Sequence, residues 1–153
     1  MANTYSQIYI QMVFAVKGRQ NFILEPIRER LQQYISGIIT QNKQKTLAIY
    51  SMPDHTHILT SMQPDINTSD LVRDIKSGST TFLKNEKLVN DSFTWQSGFG
   101  AFSYSKSQSK NVINYILNQE KHHQKKTFRQ EYLQFLKLFE IEYDEKYLFE
   151  FYD

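Results

Sequence analysis

The stretch TLAIYSMPDHTHILTSM, residues 46–62, holds two strand-like segments separated by a sharp turn. The first segment, residues 46–52, and the second, residues 55–62, are rich in β-branched and apolar side chains, which favour extended backbone. Pro53 and Asp54 between them are typical of a tight turn. The stretch therefore predicts a β-hairpin in the middle of the chain.

Alternating and helical patterns flank this hairpin. Residues 5–16 alternate between apolar and more polar side chains, the period of two that is typical of a strand with one face on the core. Residues 26–42 space their apolar side chains three and four apart, with proline in the first turn, and so predict an amphipathic helix. A second helix is expected after the hairpin, capped by Thr68 or Ser69.

The second half of the chain predicts one more strand and two more helices. Residues 93–105 favour a fourth strand that is bent at Gly98 and Gly100. A third helix is expected over residues 109–126. Thr127 opens a capping-box pattern, which predicts the start of a fourth helix.

The order of these elements is βαββαβ followed by C-terminal helices, which is the ferredoxin-like split pattern. The expected fold class is α+β, an antiparallel sheet with helices on one face plus the C-terminal helices. No repeat or change of composition divides the chain, so we expect a single domain over residues 1–153. We assign no structure to its acidic, aromatic tail, residues 140–153.

Composition excludes several classes of protein. With 153 residues, 40% of them hydrophobic and 22% charged, the chain resembles an ordinary folded domain. It has 0 Cys, which excludes a disulfide framework and a thiolate zinc site. No signal-peptide pattern and no stretch near the roughly 20 apolar residues of a membrane span is present. We therefore expect a cytoplasmic protein with no membrane partner.

Charge is distributed unevenly along the chain. The formal net charge is +2, but residues 140–153 contain six acids and one base, a local charge of −5. Residues 106–137 contain seven bases and two acids, a local charge of +5. Such a basic segment attracts polyanions such as nucleic acid, although on charge alone a solvated helix face is the simpler interpretation.

His55 and His57 are the first candidates for a functional site. In a strand, residues i and i+2 point to the same face about 7 Å apart, so two imidazoles there can converge on one divalent ion. Two exposed histidines that happen to alternate are the simpler interpretation of an isolated pair. An interior strand, however, seldom carries two same-face histidines without a partner, and the chain has only 4 His. The pair therefore indicates a metal site.

Tyr115 and Gln119 form the second candidate group. They are four residues apart on the predicted third helix, so they lie one turn apart on the same side. They border the apolar stripe of that helix, where a side chain can touch the sheet and still be accessible. A boundary tyrosine beside an incidental glutamine is the alternative interpretation.

Three blocks of sequence together resemble a known family. MPDHTH, residues 52–57, resembles the "MPDHxH" histidine–hydrophobic–histidine (HUH) segment of the single-tyrosine transposases of the insertion-sequence 200/605 family. Residues 95–103, WQSGFGAFS, are similar to its "WQxGYGAFS" block, and residues 115–123, YILNQEKHH, to its "YIxNQxxHH…F…EY" block. The blocks occur in the family's order within residues 5–139. The last block also includes Phe128, Glu131 and Tyr132.

This resemblance implies a metal site and a nucleophile. The metal ligands would be His55, His57 and Gln119, the ion Mg²⁺ or Mn²⁺, and the nucleophile Tyr115. Neither departure from the family pattern affects a residue with a chemical role. These departures are Thr56, in place of the usual hydrophobic residue, and Phe99, in place of the usual tyrosine.

The resemblance also implies a single transposase domain that acts on DNA. Attack by the Tyr115 hydroxyl would leave a 5′-phosphotyrosine and a free 3′-OH, so the same site could rejoin strands without ATP. The implied substrate is single-stranded DNA with hairpins at the element ends, and the implied enzyme is a homodimer with composite active sites. Candidate DNA contacts are the nearby basic side chains Lys106, Lys110, Lys121, His122, His123, Lys125, Lys126 and Arg129.

Three alternatives stay open at this point. A non-catalytic nucleic-acid-binding module would bind DNA without forming a covalent adduct. A metal-dependent hydrolytic nuclease would use His55 and His57 but would not need Tyr115. A domesticated relative that processes chromosomal repeats would use the same chemistry as a transposase.

Overall fold

The computed structural model describes residues 3–152 as a four-stranded sheet with helices on both faces. No helix in this range is long and apolar enough to cross a membrane. Two short 3₁₀ helices lie at Arg19–Asn21 and Glu145–Tyr147. The main elements, in chain order, are β1 (Ile8–Ala15), α1 (Glu25–Gln41), β2 (Lys45–Ser51), β3 (His55–Met62), α2 (Thr68–Asn85), β4 (Gly100–Tyr104), α3 (Lys106–Leu117), α4 (Gln119–His123) and α5 (Phe128–Leu138).

The sheet has the order β2-β3-β1-β4, and all three strand pairs are antiparallel. The predicted α+β fold with a ferredoxin-like antiparallel sheet is thereby confirmed. The hairpin predicted from residues 46–62 forms β2 and β3, and β3 begins at His55 as expected. Strand β3 is an interior strand, because β2 and β1 pair with its two edges. Val13 of β1 is the register partner of His57.

Helices α1 and α2 cover one face of the sheet. The apolar side of the alternating β1 pattern, including Met12 and Phe14, packs there together with Ile58 of β3. Leu31 and Ile75 come from the helices to the same cluster. This is the helical layer that the sequence predicts on one face, and it buries the period-two pattern of β1.

The C-terminal helices cover the opposite face. Helix α3 packs on Ala48 and Leu59 through Val112 and Ile116. Helix α5 packs on the other side of β1 and on β4, where its side chains surround Phe102. Both faces of the sheet are therefore buried, and the more polar face of β1 and β3 lies inside the protein rather than in water.

Helix boundaries differ from the predicted ones, most clearly at the start of α2 and in the middle of the predicted third helix. The second helix is capped by Asn67, whose Oδ1 accepts the backbone N–H of Asp70 at 2.8 Å, and not by Thr68 or Ser69. Asparagine is as good a cap as serine or threonine, so composition alone does not select among three adjacent polar residues. The predicted third helix is two helices, α3 and α4, separated at Asn118.

The break at Asn118 has a local cause. Its backbone leaves helical geometry, with φ −107° and ψ 27°, while its side chain Nδ2 donates to the carbonyl of Asn114 at 2.7 Å. A side-chain amide that bonds to the backbone of the preceding turn competes with helix continuation. Tyr115 therefore lies near the end of α3 and Gln119 begins α4, although the two remain one turn apart.

The fourth strand is shorter than residues 93–105. Trp95 makes only an isolated bridge with Val16, and regular pairing begins at Gly100. Gly98 adopts a positive φ of 84° between these points, a conformation that favours glycine. The glycine bend therefore precedes β4, and only Ser105 separates β4 from α3.

The acidic tail, to which the sequence assigns no structure, packs against the protein up to residue 152; Asp153 lies outside the described residues. Phe149 and Phe151 contact the aromatic side chains of α5. The Gln96 amide bonds to both backbone groups of Glu150, donating at 2.9 Å and accepting at 2.7 Å. These aromatic contacts and hydrogen bonds hold the end of the tail, residues 149–151, against the protein.

Replacing Gly100 with alanine tests the close packing of α5 on β4. A Cβ atom at this position would lie 2.8 Å from the Tyr132 hydroxyl oxygen, so the helix or the ring must shift. We expect Gly100→Ala to lower the free energy of unfolding by about 1–3 kcal/mol in chemical denaturation. The matched control is Gly37→Ala on an open side of α1, which we expect to raise it by about 0.5–1 kcal/mol. An unchanged stability for Gly100→Ala would contradict the packing.

Candidate active site

Two buried imidazoles form the centre of the site. His55 and His57 lie on the same face of β3, and their side chains are 1% and 0% exposed. Their ring centroids are 5.1 Å apart. This is the side-by-side placement that the sequence predicts, and the interior position of β3 buries both rings beneath α5.

Hydrogen bonds fix the orientation of both rings. The Nδ1 atom of His55 is 2.7 Å from Oδ1 of Asp54, and the Nδ1 atom of His57 is 2.7 Å from Oε1 of Gln11. The Gln11 amide nitrogen donates in turn to the Tyr104 hydroxyl at 2.8 Å, which sets the amide so that its oxygen faces His57. Nδ1 therefore carries a proton in each ring, and in the neutral ring Nε2 points its lone pair into the site.

The Nε2 atoms face a carboxylate from α5. Oε1 of Glu131 lies 3.0 Å from Nε2 of His57, 3.6 Å from Nε2 of His55 and 3.3 Å from Nε2 of His123. Glu131 is only 2% exposed. Burial alone would raise the pKa of Glu131. The positive charge and hydrogen bonds that His57, His123 and His55 supply when protonated outweigh burial and hold this pKa far below the usual range.

The two other polar groups at the site come from α4. Gln119 is fully buried, and its Oε1 lies 3.4 Å from Nε2 of His55 and 3.0 Å from Nε2 of His123. Burial lowers the pKa of His55, whereas hydrogen bonding and the charge of Glu131 overcome burial and raise the pKa of His123. Gln119 thus lies beside the histidine pair, as the predicted ligand set requires.

These side chains could hold a divalent cation. One ligand atom each from His55, His57, His123 and Glu131 lie within 4.8 Å of one another. Imidazole nitrogens combined with carboxylate and amide oxygens suit Mn²⁺ and related ions, and Mg²⁺ accepts the oxygen ligands. The donor set therefore fits the predicted metal, with more candidate ligands than the sequence indicates.

Tyr115 lies at the edge of this group. Its hydroxyl donates a hydrogen bond to Oε2 of Glu131, and its ring stacks on His122 with centroids 4.3 Å apart. The ring also meets His57 edge-on at 6.1 Å. Burial and the nearby charge of Glu131 raise the pKa of Tyr115 well above its ordinary value, so the phenol is neutral in this arrangement.

An open cleft of about 1100 Å³ begins beside Tyr115 and runs between α3 and α5. Tyr104, Phe135 and Phe139 form aromatic walls, and basic side chains lie along the segment that joins α4 to α5. The predicted DNA contacts that line this cleft are Lys121, His122, Lys125 and Lys126.

The remaining predicted DNA contacts do not line this cleft. Lys106 and Lys110 are exposed on α3. Arg129 lies over the Phe151 ring of the tail at 5.7 Å. His123 faces the metal-capable group instead. The structure therefore brings together one part of the predicted basic set, beside the tyrosine.

Glu131 lies at the centre of the site, although the sequence analysis names it only as part of the last family block and assigns it no role. A signal for it exists, since position 131 falls on the same helical side as Phe128 and Tyr132, which form the buried stripe of α5. A carboxylate in such a stripe needs a specific partner. Gln11 is another side chain of the site that the sequence analysis does not single out. It lies on the more polar face of β1, which the structure buries.

The sequence model of the IS200-like transposases matches residues 4–119. The chain belongs to the IS200-like transposase family. Membership implies a DNA-cleaving enzyme of DNA recombination, and it places His55, His57, Tyr115 and Gln119 within the matched range. His123 and Glu131 lie beyond it.

A relative and two solved structures are similar to this chain. The ISDra2 transposase TnpA of Deinococcus radiodurans is 24% identical over 119 residues, which cover 74% of this IS200-like transposase and 84% of that protein. A crystal structure assigned to a transposase of Deinococcus radiodurans has a TM-score of 0.61 and 22% identity, and covers 76% of this chain and 94% of its own. A REP-associated tyrosine transposase bound to a REP hairpin also has a TM-score of 0.61, with 17% identity over 79% and 72% of the two chains.

Proposed function

We propose that this IS200-like transposase cuts and rejoins single-stranded DNA through a covalent bond between Tyr115 and a 5′-phosphate. The proposal rests on the carboxylate of Glu131, which accepts a hydrogen bond from the Tyr115 hydroxyl and also faces the histidine pair. A tyrosine with a purely structural role would not need its hydroxyl on the carboxylate that faces two buried imidazoles. Family membership supports the same chemistry.

The proposed reaction conserves the phosphodiester bond energy. The Tyr115 oxygen attacks the scissile phosphorus, the bond from phosphorus to the 3′-oxygen breaks, and the phenol gives up its proton while the leaving 3′-oxygen takes one up. The products are a 5′-phosphotyrosine and a free 3′-OH. Attack by a 3′-OH on the phosphotyrosine reverses these changes, so strands are rejoined without ATP.

A divalent ion, Mg²⁺ or Mn²⁺, belongs to the proposal, with His55, His57 and Gln119 as ligands. The fit rests on the two Nε2 lone pairs, which Asp54 and Gln11 orient into the site, and on the oxygen donors around them. When bound, the ion supplies positive charge that neutralises and orients the scissile phosphate. Burial of the ligands keeps their geometry fixed before DNA arrives.

The proposed substrate is single-stranded DNA that carries hairpins at the ends of the element. The solved REP-associated tyrosine transposase is bound to a REP hairpin, which supports a hairpin ligand for this chain as well. The cleft beside Tyr115 supports an unpaired strand, because aromatic walls can stack on bases while Lys121, Lys125 and Lys126 meet phosphates.

We also propose a homodimer with composite active sites, on the strength of the family resemblance. In the single chain, Tyr115 contacts its own histidines and its own Glu131. A composite site would form the same contacts between α3 of one subunit and β3 of its partner. Gln119 follows Tyr115 closely along the chain, so the two residues would move together.

Covalent capture is the direct test of the reaction. With single-stranded DNA from its element end and Mn²⁺ or Mg²⁺, the protein is expected to form a protein–DNA adduct that survives denaturation. Tyr115→Phe keeps the ring but removes the attacking oxygen, so it is expected to bind DNA and form no detectable adduct. Tyr147→Phe, an 80% exposed tyrosine of the tail, is the matched control and should react normally. An undiminished adduct in Tyr115→Phe would refute the assignment, and hydrolysed DNA without an adduct would favour a nuclease.

Metal dependence is tested on the same substrate. His55→Ala and His57→Ala are each expected to abolish cleavage, because a site with few protein ligands loses its ion when one is removed. Gln119→Ala is expected to lower the cleavage rate at least about tenfold, since the amide oxygen is the weakest of the three ligands. Gln33→Ala, an exposed glutamine on α1, is the control. Full cleavage in excess chelator would show that the reaction needs no metal.

Complementation tests the composite site. A heterodimer of Tyr115→Phe with His55→Ala/His57→Ala contains one intact site only if tyrosine and histidines come from different subunits. We expect such heterodimers to cut at about half the wild-type rate, since one of two symmetric sites is complete. Each homodimer is expected to be inactive. Inactive purified heterodimers, beside active wild-type dimers, would mean that each subunit uses its own tyrosine.

A further inference from the structure

We infer that Glu131 is a metal ligand of this site and that its second oxygen holds the nucleophile Tyr115. One carboxylate of α5 would thus connect the metal to the attacking hydroxyl. Glu131 lies beyond residues 4–119, the range that matches the family model. The part of this inference that concerns the nucleophile rests on the proposed function, whereas the part that concerns metal binding does not.

The first support is an excess of hydrogen-bond acceptors at one point. The Nδ1 protons of His55 and His57 are used by Asp54 and Gln11, so the two Nε2 atoms present lone pairs. Both lone pairs face Oε1 of Glu131, at 3.6 and 3.0 Å, and a carboxylate oxygen is also an acceptor. While both rings are neutral, these acceptors repel one another in the buried site, and a divalent cation between them would satisfy all three at once.

The second support is the position of Glu131 within α5. The helix side that carries Glu131 also carries Phe128 and Tyr132, which are buried in an aromatic cluster. A carboxylate that is 2% exposed among such side chains is costly unless it is paired or bound to a metal. The capping box at Thr127 fixes the start of α5 and therefore the register that points Glu131 at the histidines.

The third support is that the two carboxylate oxygens of Glu131 have different partners. Oε1 faces the imidazoles, while Oε2 accepts the hydrogen bond of the Tyr115 hydroxyl. Glu131 would therefore lie between the metal ion and the attacking oxygen, with one carboxylate oxygen directed at each. Gln119 is compatible with the same ion, because its Oε1 lies 3.4 Å from Nε2 of His55.

Mn²⁺ affinity of the full-length protein without DNA tests the ligand assignment. Free Mn²⁺ is followed by electron paramagnetic resonance during titration of wild-type protein, Glu131→Gln and Tyr115→Phe. Glu131→Gln preserves side-chain size but removes the charge, and we expect at least a tenfold weaker affinity. Tyr115→Phe is expected to stay within threefold of wild type, because it keeps the ring and removes only a hydroxyl that bonds to Oε2, whereas Oε1 faces the imidazoles. Glu142→Gln makes the same change at an exposed acid of the tail and is expected to bind like wild type.

Two outcomes would overturn the inference: a Glu131→Gln protein that binds Mn²⁺ as tightly as wild type, or a wild-type protein that binds none. Thermal unfolding is recorded first for each variant. If Glu131→Gln does not unfold cooperatively, Glu131→Asp replaces it, since the shorter side chain withdraws the carboxylate. The same loss of affinity is expected, and wild-type affinity again overturns the assignment.

Failure of the proposed function gives a different pattern. Weakened Mn²⁺ binding by Glu131→Gln, together with no covalent adduct in wild type, would leave Glu131 as a ligand and refute the tyrosine reaction. Adduct formation in wild type, together with unchanged Mn²⁺ affinity in Glu131→Gln, would leave the reaction and refute the ligand.

Discussion

Burying two imidazoles side by side on an interior strand leaves four ring nitrogens that each need a partner. Asp54 at the end of the hairpin turn and Gln11 on the neighbouring strand satisfy the two Nδ1 atoms. The two Nε2 atoms turn away from the sheet, toward whatever covers this face. While the rings are neutral, a carboxylate there cannot satisfy their lone pairs by itself, and a bound cation would. The position of α5, which carries that carboxylate, therefore matters for the chemistry of the site as well as for its packing.

The covering layer is built to hold that carboxylate in place. Phe128 of α5 stacks on the His55 ring with centroids 3.8 Å apart, and Phe149 and Phe151 of the tail pack on Phe128 in turn. The side-chain amide of Gln96 forms two hydrogen bonds with the tail backbone at Glu150. Residues beyond the family-matched range 4–119 therefore cover the histidine pair, which lies within that range. The acidic tail adds to this covering layer through its aromatic side chains.

Local patterns predict much of this structure because their causes are local. A proline-aspartate turn between two apolar segments defines the hairpin and places His55 at the start of β3, and the Thr127 capping box defines the start of α5. The break at Asn118 depends on one side-chain hydrogen bond, which composition does not reveal. The role of Glu131 depends on which face of the sheet α5 covers, a tertiary fact that no pattern within the helix contains.

The most direct measurement is anomalous diffraction from crystals of the wild-type protein grown with Mn²⁺, recorded at the manganese absorption edge. The site described here predicts one strong peak between β3 and α5, within roughly 2.0–2.4 Å of Nε2 of His55, Nε2 of His57 and an oxygen of Glu131. The hydroxyl of Tyr115 should remain on the other carboxylate oxygen. A Mn²⁺ peak that is absent from the histidine pair, or bound there with Glu131 turned away, would contradict it.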